Sequence, residues 1–152
     1  MVPINILLVE DNEGDIVLTT EALQEGKIIF NITVIKDGWE AIQFLNKRGK
    51  YANQPLPDLV LLDLNLPKMN GVEVLKNIRS SSTLNHIPVM ILSISTFEKD
   101  IQLCMQHLAN CFITKPLMPD SFLKNILLMN EFGLYIVKLP PTTNNQNITT
   151  IN

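Results

Sequence analysis

Five short stretches of the chain are apolar or β-branched almost without a break: Ile4–Val9, Phe30–Ile35, Leu59–Leu62, Val89–Leu92 and Cys111–Thr114. A strand with one wet face alternates apolar and polar side chains, whereas a strand covered on both faces does not. The five runs therefore predict a parallel sheet held between two layers of helices. Helical patterning fills the intervals, roughly over 14–26, 38–48, 71–80, 98–108 and 119–131. In the first of these, Ile16, Leu18, Ala22 and Leu23 are assigned to the inner face, with Thr19, Glu21 and Gln24 outward. Asp37-Gly38 opens the second helix and Gly49 lies just past its end. A β-α repeat of about 25 residues implies right-handed crossovers, hence an α/β, doubly wound, five-stranded parallel sheet with five helices. After Leu139 the chain turns to Pro-Pro-Thr-Thr-Asn-Asn-Gln-Asn, which can bury little apolar surface. Residues 139–152 are accordingly expected to be a disordered tail, and 1–138 the folded domain.

Composition narrows the class. The chain has 152 residues, enough for one ordinary domain, and 46% of them are hydrophobic. Its net charge is −3 and its lysines and arginines are scattered, so no basic face for nucleic acid is expected. The apolar runs are strand-sized, too short to cross a bilayer. No basic region precedes an apolar stretch at the N-terminus, so no secretory signal is read there. Two cysteines, Cys104 and Cys111, fit small buried thiols in a reducing cytosol better than a disulfide framework. His86 and His107 stand apart and do not suggest a metal site.

In an open doubly wound sheet, ligands bind beyond the C-terminal ends of the strands. Strand one ends in Glu10-Asp11, strand three in Asp63, strand four in Ser93, and strand five is followed by Lys115-Pro116. One acid after a strand is usually a turn or cap residue. Three acids, a hydroxyl and a lysine at one edge are much harder to explain as turn chemistry. Crowded carboxylates repel one another unless a cation joins them. Oxygen-only ligands suit Mg²⁺, which takes one or two carboxylates, waters and a phosphate oxygen. An aspartate can accept a phosphoryl group as an acyl phosphate. A metal, Lys115 and Ser93 could neutralise and position that group's oxygens.

These residues resemble those of bacterial response-regulator receiver domains over roughly residues 4–131. The matching pieces are Ile-Leu-Leu-Val-Glu10-Asp11-Asn, Pro-Asp-Leu-Val-Leu-Leu-Asp63-Leu-Asn-Leu-Pro67, Met69-Asn70-Gly71, Ile-Pro-Val-Met-Ile-Leu-Ser93 and Phe112-Ile-Thr-Lys115-Pro116. The resemblance implies a flavodoxin-like receiver fold and a cytoplasmic switch that accepts phosphate on Asp63 from a sensor histidine kinase. It implies Mg²⁺ bound by Asp11 and Asp63, by Glu10 directly or through water, and by the backbone carbonyl of Asn65. Ser93 becomes the switch hydroxyl, Lys115 the phosphate-binding cation with a cis bond to Pro116, and Phe112 the switch aromatic. The family often carries Tyr at the Phe112 position, so an outward hydroxyl contact is absent here. Ile94 is larger than the residue many members carry after the switch hydroxyl, which suggests slower hydrolysis of the acyl phosphate.

A narrower resemblance, to cyanobacterial phytochrome-type response regulators, rests on Asp63-Leu-Asn-Leu-Pro-Lys68, Ala109-Asn-Cys-Phe-Ile-Thr-Lys-Pro116 and Glu131-Phe-Gly-Leu-Tyr-Ile-Val-Lys-Leu-Pro140. It implies a single-domain regulator served by a light-regulated phytochrome kinase. It also implies a homodimer through helix 4, strand 5, helix 5 and the C-terminal segment. The apolar stretch Phe132–Val137 is open to two readings, a dimer contact or a fold-back onto the chain's own core.

Three rivals use related architecture. A haloacid-dehalogenase-like phosphatase needs a second aspartate two residues after the nucleophile, and Asn65 stands there. A flavodoxin-like carrier needs a phosphate-cradling first loop, but Glu10, Asp11, Glu13 and Asp15 would repel phosphate. A pseudo-receiver would lack a member of the acid pocket, and none is missing. The site, more than the fold, separates these classes.

Overall fold

The computed structural model describes residues 3–26, 28–131 and 147–151. Its elements are β1 (Ile4–Val9), α1 (Glu13–Glu25), β2 (Phe30–Ile35), α2 (Gly38–Leu45), β3 (Leu59–Asp63), α3 (Gly71–Ser80), β4 (Val89–Ser93), α4 (Glu98–Gln106), β5 (Cys111–Thr114), α5 (Pro119–Glu131) and β6 (Asn147–Ile151). All strand pairs are parallel, in the order β5-β4-β3-β1-β2-β6.

Successive residues of each inner strand feed opposite cores. Ile6 and Leu8 join Phe30, Leu61, Met90, Phe122 and Ile126 in one layer. Leu7 and Val9 join Ile35, Leu62, Val74, Leu75 and Ile78 in the other. Both faces are buried, which is why the strands read as unbroken apolar runs. Side-chain caps start three of the helices. Asn12 accepts from the Asp15 N–H, Asp37 from the Glu40 N–H and Asn70 from the Glu73 N–H.

The structure departs from the sequence expectations at four points. The sheet has six strands where five were expected. β6 pairs with β2 from Asn31↔Asn147 to Ile35↔Ile151, inside the segment read as a disordered tail. Asn147-Ile-Thr-Thr-Ile151 is four-fifths β-branched, a strand composition hidden by the polar residues before it. Ile151 packs against the α3-side core, and the strand covers the otherwise unpaired edge of β2. The second helix stops at Leu45, short of 48, because Lys47 takes a left-handed backbone at φ 54°. The fourth stops at Gln106 and Leu108 has φ 65°. On α1, Thr19 is buried and Leu18 half exposed, the reverse of the expected faces. Thr19 is three residues from Ile16 and four from Leu23, whereas Leu18 is only two from Ile16 and so points away. The expected apolar segment Phe132–Val137 lies outside the described residues. Among the described residues, no helix is long and apolar enough to cross a membrane.

The chain passes from β1 to β2 on one side and then returns to place β3 on the other side of β1. The winding therefore reverses between β1 and β3, and the crevice at their C-terminal ends is the place where such sheets bind ligands.

Candidate functional site at the strand ends

Strand register assembles the site. Val9 pairs with Leu62, so the next step sets Glu10 beside Asp63. Asp63 pairs with Leu92, and Ser93 with Thr114. The next N–H, of Lys115, donates to the Ser93 carbonyl at 2.8 Å. Glu10, Asp63 and Ser93 are buried, at 1%, 5% and 0% exposure, while Asp11 is exposed. The Lys115–Pro116 bond is cis, as the resemblance implied.

Lys115 is the hub of the charges. Its ammonium lies 2.5 Å from Glu10 Oε1, 2.8 Å from Asp15 Oδ2 and 3.5 Å from Asp63 Oδ2. Burial alone would lower its pKa, but hydrogen bonds to Asp15 and Glu10 and the charge of Asp63 outweigh that and raise it. Glu10 behaves oppositely to an exposed acid. Burial, with the Asp63 charge adding and Lys115 opposing, pushes its carboxyl up to about 7.

One carboxylate oxygen each from Glu10, Asp11 and Asp63 lie within 4.8 Å of one another. This all-oxygen set fits a divalent cation, whose charge would oppose the burial and the Asp63 repulsion that raise the Glu10 carboxyl. The Asn65 N–H reaches back to Asp63 Oδ1 at 3.4 Å, so the loop after β3 curls over the acid pocket. Phe112 is half-buried against the α3-side core. His86 is exposed and His107 half-buried, and neither belongs to the acid cluster. Cys104 and Cys111 are free thiols.

Asp15 is the member that the strand-end reading did not single out as a partner. Its signal was present: it is an acid four residues after Asp11, on the first turn of α1. Two open cavities flank the cluster. One, of about 380 Å³, runs between α3 and α4 past Asn65, Ser93, Ser95, Asp100 and Leu103. The other, of about 200 Å³, is walled by Leu18, Thr19, Ile94, Lys115 and Pro116.

An acid, hydroxyl and lysine cluster at the switch point of this fold defines a receiver-type signalling module. The chain belongs to the response regulator receiver domain family, which it matches over residues 6–127. It is 39% identical over 135 residues to the response regulator Rcp1 of Synechocystis sp., covering 89% of this chain and 92% of that protein. A solved structure of the phosphorylated cyanobacterial phytochrome response regulator RcpA is 42% identical with a TM-score of 0.75, covering 91% of this chain and 99% of that one. The Mn²⁺-bound form of Rcp1 is 39% identical with a TM-score of 0.73, again over 91% and 99%. Receiver domains take phosphate from histidine kinases and bind a divalent metal. The chain is thus a signalling switch of a two-component system rather than a conventional enzyme.

Proposed function

We propose that Asp63 accepts a phosphoryl group from the phosphohistidine of a phytochrome-type sensor kinase. The observation that carries this reading is the convergence of Glu10, Asp11 and Asp63 with Lys115 at the switch point. A carboxylate oxygen of Asp63 attacks phosphorus, the P–N bond breaks, and its electron pair leaves on the kinase imidazole. Glu10, Asp11, Asp63 and the Asn65 carbonyl are the ligands assigned to Mg²⁺. When bound, Mg²⁺ supplies positive charge to the phosphoryl oxygens. Lys115 pairs with one of those oxygens, and the Ser93 hydroxyl donates to another. Phe112 then moves inward, and the surface around α4, β5 and α5 changes as a population shift.

A phytochrome-type donor is supported by the likeness to RcpA, a cyanobacterial phytochrome response regulator. The kinase docks where exposed apolar side chains border the cavity beside Lys115: Leu18 on α1 and Ile94 after β4. Output passes through a homodimer that uses α4, β5, α5 and the C-terminal segment. Leu103, Met105, Leu127 and Leu128 are exposed apolar residues on those helices. The receiver unit takes in β6 beyond residues 1–138, and the free thiols suit a reducing cytoplasm.

Phosphotransfer from a labelled phytochrome-type kinase with Mg²⁺ tests the reading. Label is expected on the wild type and absent from Asp63→Asn; undiminished label on the variant refutes the assignment. Mass in solution, with and without beryllofluoride, tests the dimer.

A further inference from the structure

Three hydrogen bonds join the buried Ser93 hydroxyl to the start of α4, and all three pass through Ser95. The Ser95 N–H donates to Ser93 Oγ at 3.0 Å. The Ser95 hydroxyl donates to Asp100 Oδ2 at 2.5 Å and accepts from the Phe97 N–H at 3.2 Å. Phe97 is the N-cap of α4 and has no side-chain oxygen with which to cap it. Ser95, two residues upstream, instead satisfies the N–H of Phe97 itself. Asp100 lies in the first turn, where a carboxylate favours the positive end of the helix. Ser93, Ser95 and Asp100 all line the cavity between α3 and α4.

We propose that Ser95 and Asp100 are positioning residues that latch the Ser93 hydroxyl in its unphosphorylated arrangement. The proposal rests on the acceptor reading of Asp63 given above. Turning Ser93 Oγ toward a phosphoryl oxygen withdraws the acceptor from the Ser95 N–H. Ser95 is then released, and with it the Phe97 N–H and the Asp100 carboxylate lose their common partner. Phosphorylation is thereby coupled to the first turn of α4 through one residue, whose backbone N–H holds Ser93 Oγ and whose hydroxyl holds Asp100 and the Phe97 N–H. The latch stabilises the unphosphorylated state alone, so it lowers the apparent affinity for the phosphoryl group.

The test measures binding of beryllofluoride with Mg²⁺ by titration calorimetry. It is paired with amide hydrogen exchange over residues 97–101 and with thermal melting. Ser95→Ala is expected to tighten beryllofluoride binding by roughly five- to tenfold, the loss of contacts made only in the free state. Exchange at 97–101 in the free variant should rise to the level of the beryllofluoride-bound wild type. Asp100→Ala should act in the same direction. Asp100→Asn, which keeps an acceptor for the Ser95 hydroxyl, should stay within about twofold of wild type, as should Lys99→Ala at an exposed neighbouring position. A lower melting temperature with an unchanged or weaker dissociation constant in Ser95→Ala means an ordinary structural contact and overturns the latch alone. Failure of the wild type to bind beryllofluoride overturns the acceptor reading and the latch together.

Discussion

Gly71 opens α3 directly behind the acceptor, and replacing it with alanine should damage the site more than the fold. A Cβ there would lie 2.2 Å from the Asp63 carbonyl oxygen, 2.7 Å from Leu64 Cα and 3.0 Å from the Asp63 carbonyl carbon. A comfortable C···O approach is about 3.3 Å, so roughly 1 Å of movement must be found. All three obstructing atoms are backbone, and the Gly71 N–H is tied to the Leu64 carbonyl at 2.8 Å. The strain therefore falls on the peptide that carries the Asp63 carboxylate. Overpacking of this kind costs about 1–3 kcal/mol of stability, and a misplacement of about 1 Å at a reacting group costs on the order of 10²-fold in rate. Gly71→Ala should lose about two orders of magnitude in phosphoryl uptake from acetyl phosphate with Mg²⁺, followed by intact-protein mass, while remaining folded by circular dichroism. Gly49→Ala is the matched control. Its backbone is left-handed at φ 56° with nothing within 4 Å of a Cβ, so it pays about 1–2 kcal/mol of conformational strain far from the acid pocket. Uptake by folded Gly71→Ala at the wild-type rate, or an equal slowing in Gly49→Ala, would refute the reasoning.

Metal affinity should depend on pH through Glu10. Its carboxyl is raised from 4.5 to about 7, so between those values the folded state holds a proton that the unfolded chain has lost. Metal-free stability should fall as pH rises through that window, and Mg²⁺ affinity should rise across it. Calorimetry at pH 6 and 8 should show the rise in wild type and a flattened response in Glu10→Gln. Arg79 donates to the carbonyls of Leu108, Asn85 and Ile87 and to Asn110 Oδ1, tying α3 to both ends of the β4 and α4 region. Arg79→Ala should lower unfolding free energy by about 2–3 kcal/mol in urea, and lysine, which lacks the planar fork, should restore less than half. Burial pushes the Cys111 thiol up to about 12, so it should resist iodoacetamide at pH 8 in the native state and react fully in urea; rapid native alkylation at Cys111 would contradict its placement.

The fold was legible because its strands are covered on both faces. Leu59–Leu62 and Val89–Leu92 carry no alternation to confuse, and their neighbours place Asp63 and Ser93 at the same edge. What escaped was information that local pattern does not hold. β6 is a strand only because β2 offers an edge, and its five residues follow a stretch whose composition suggests no structure. The faces of α1 were misread at Leu18 and Thr19 because residue type was weighed over helical spacing. Thr20 can sit inside since its hydroxyl bonds back to the Ile16 carbonyl at 2.7 Å. The site's residue types were legible, but the pairing of Lys115 with Asp15 required the third dimension, since one hundred residues separate them.

That pairing changes what the acid cluster means. Four carboxylates, Glu10, Asp11, Asp15 and Asp63, crowd around one ammonium that contacts three of them. One cation serves that many acids incompletely, and Glu10, the most buried of them, has its carboxyl pushed up to about 7 by burial first and by Asp63 second. The four acids are not equivalent. Glu10, Asp11 and Asp63 share a metal-sized volume, while Asp15 belongs to the Lys115 side only. A divalent cation among the first three would remove the need for Lys115 to serve Glu10 and Asp63. It would leave the ammonium held from the rim by Asp15, beside the crevice. Lys115 is then available to an incoming anion without having to be recruited from solvent, which is the preorganisation that phosphoryl transfer requires.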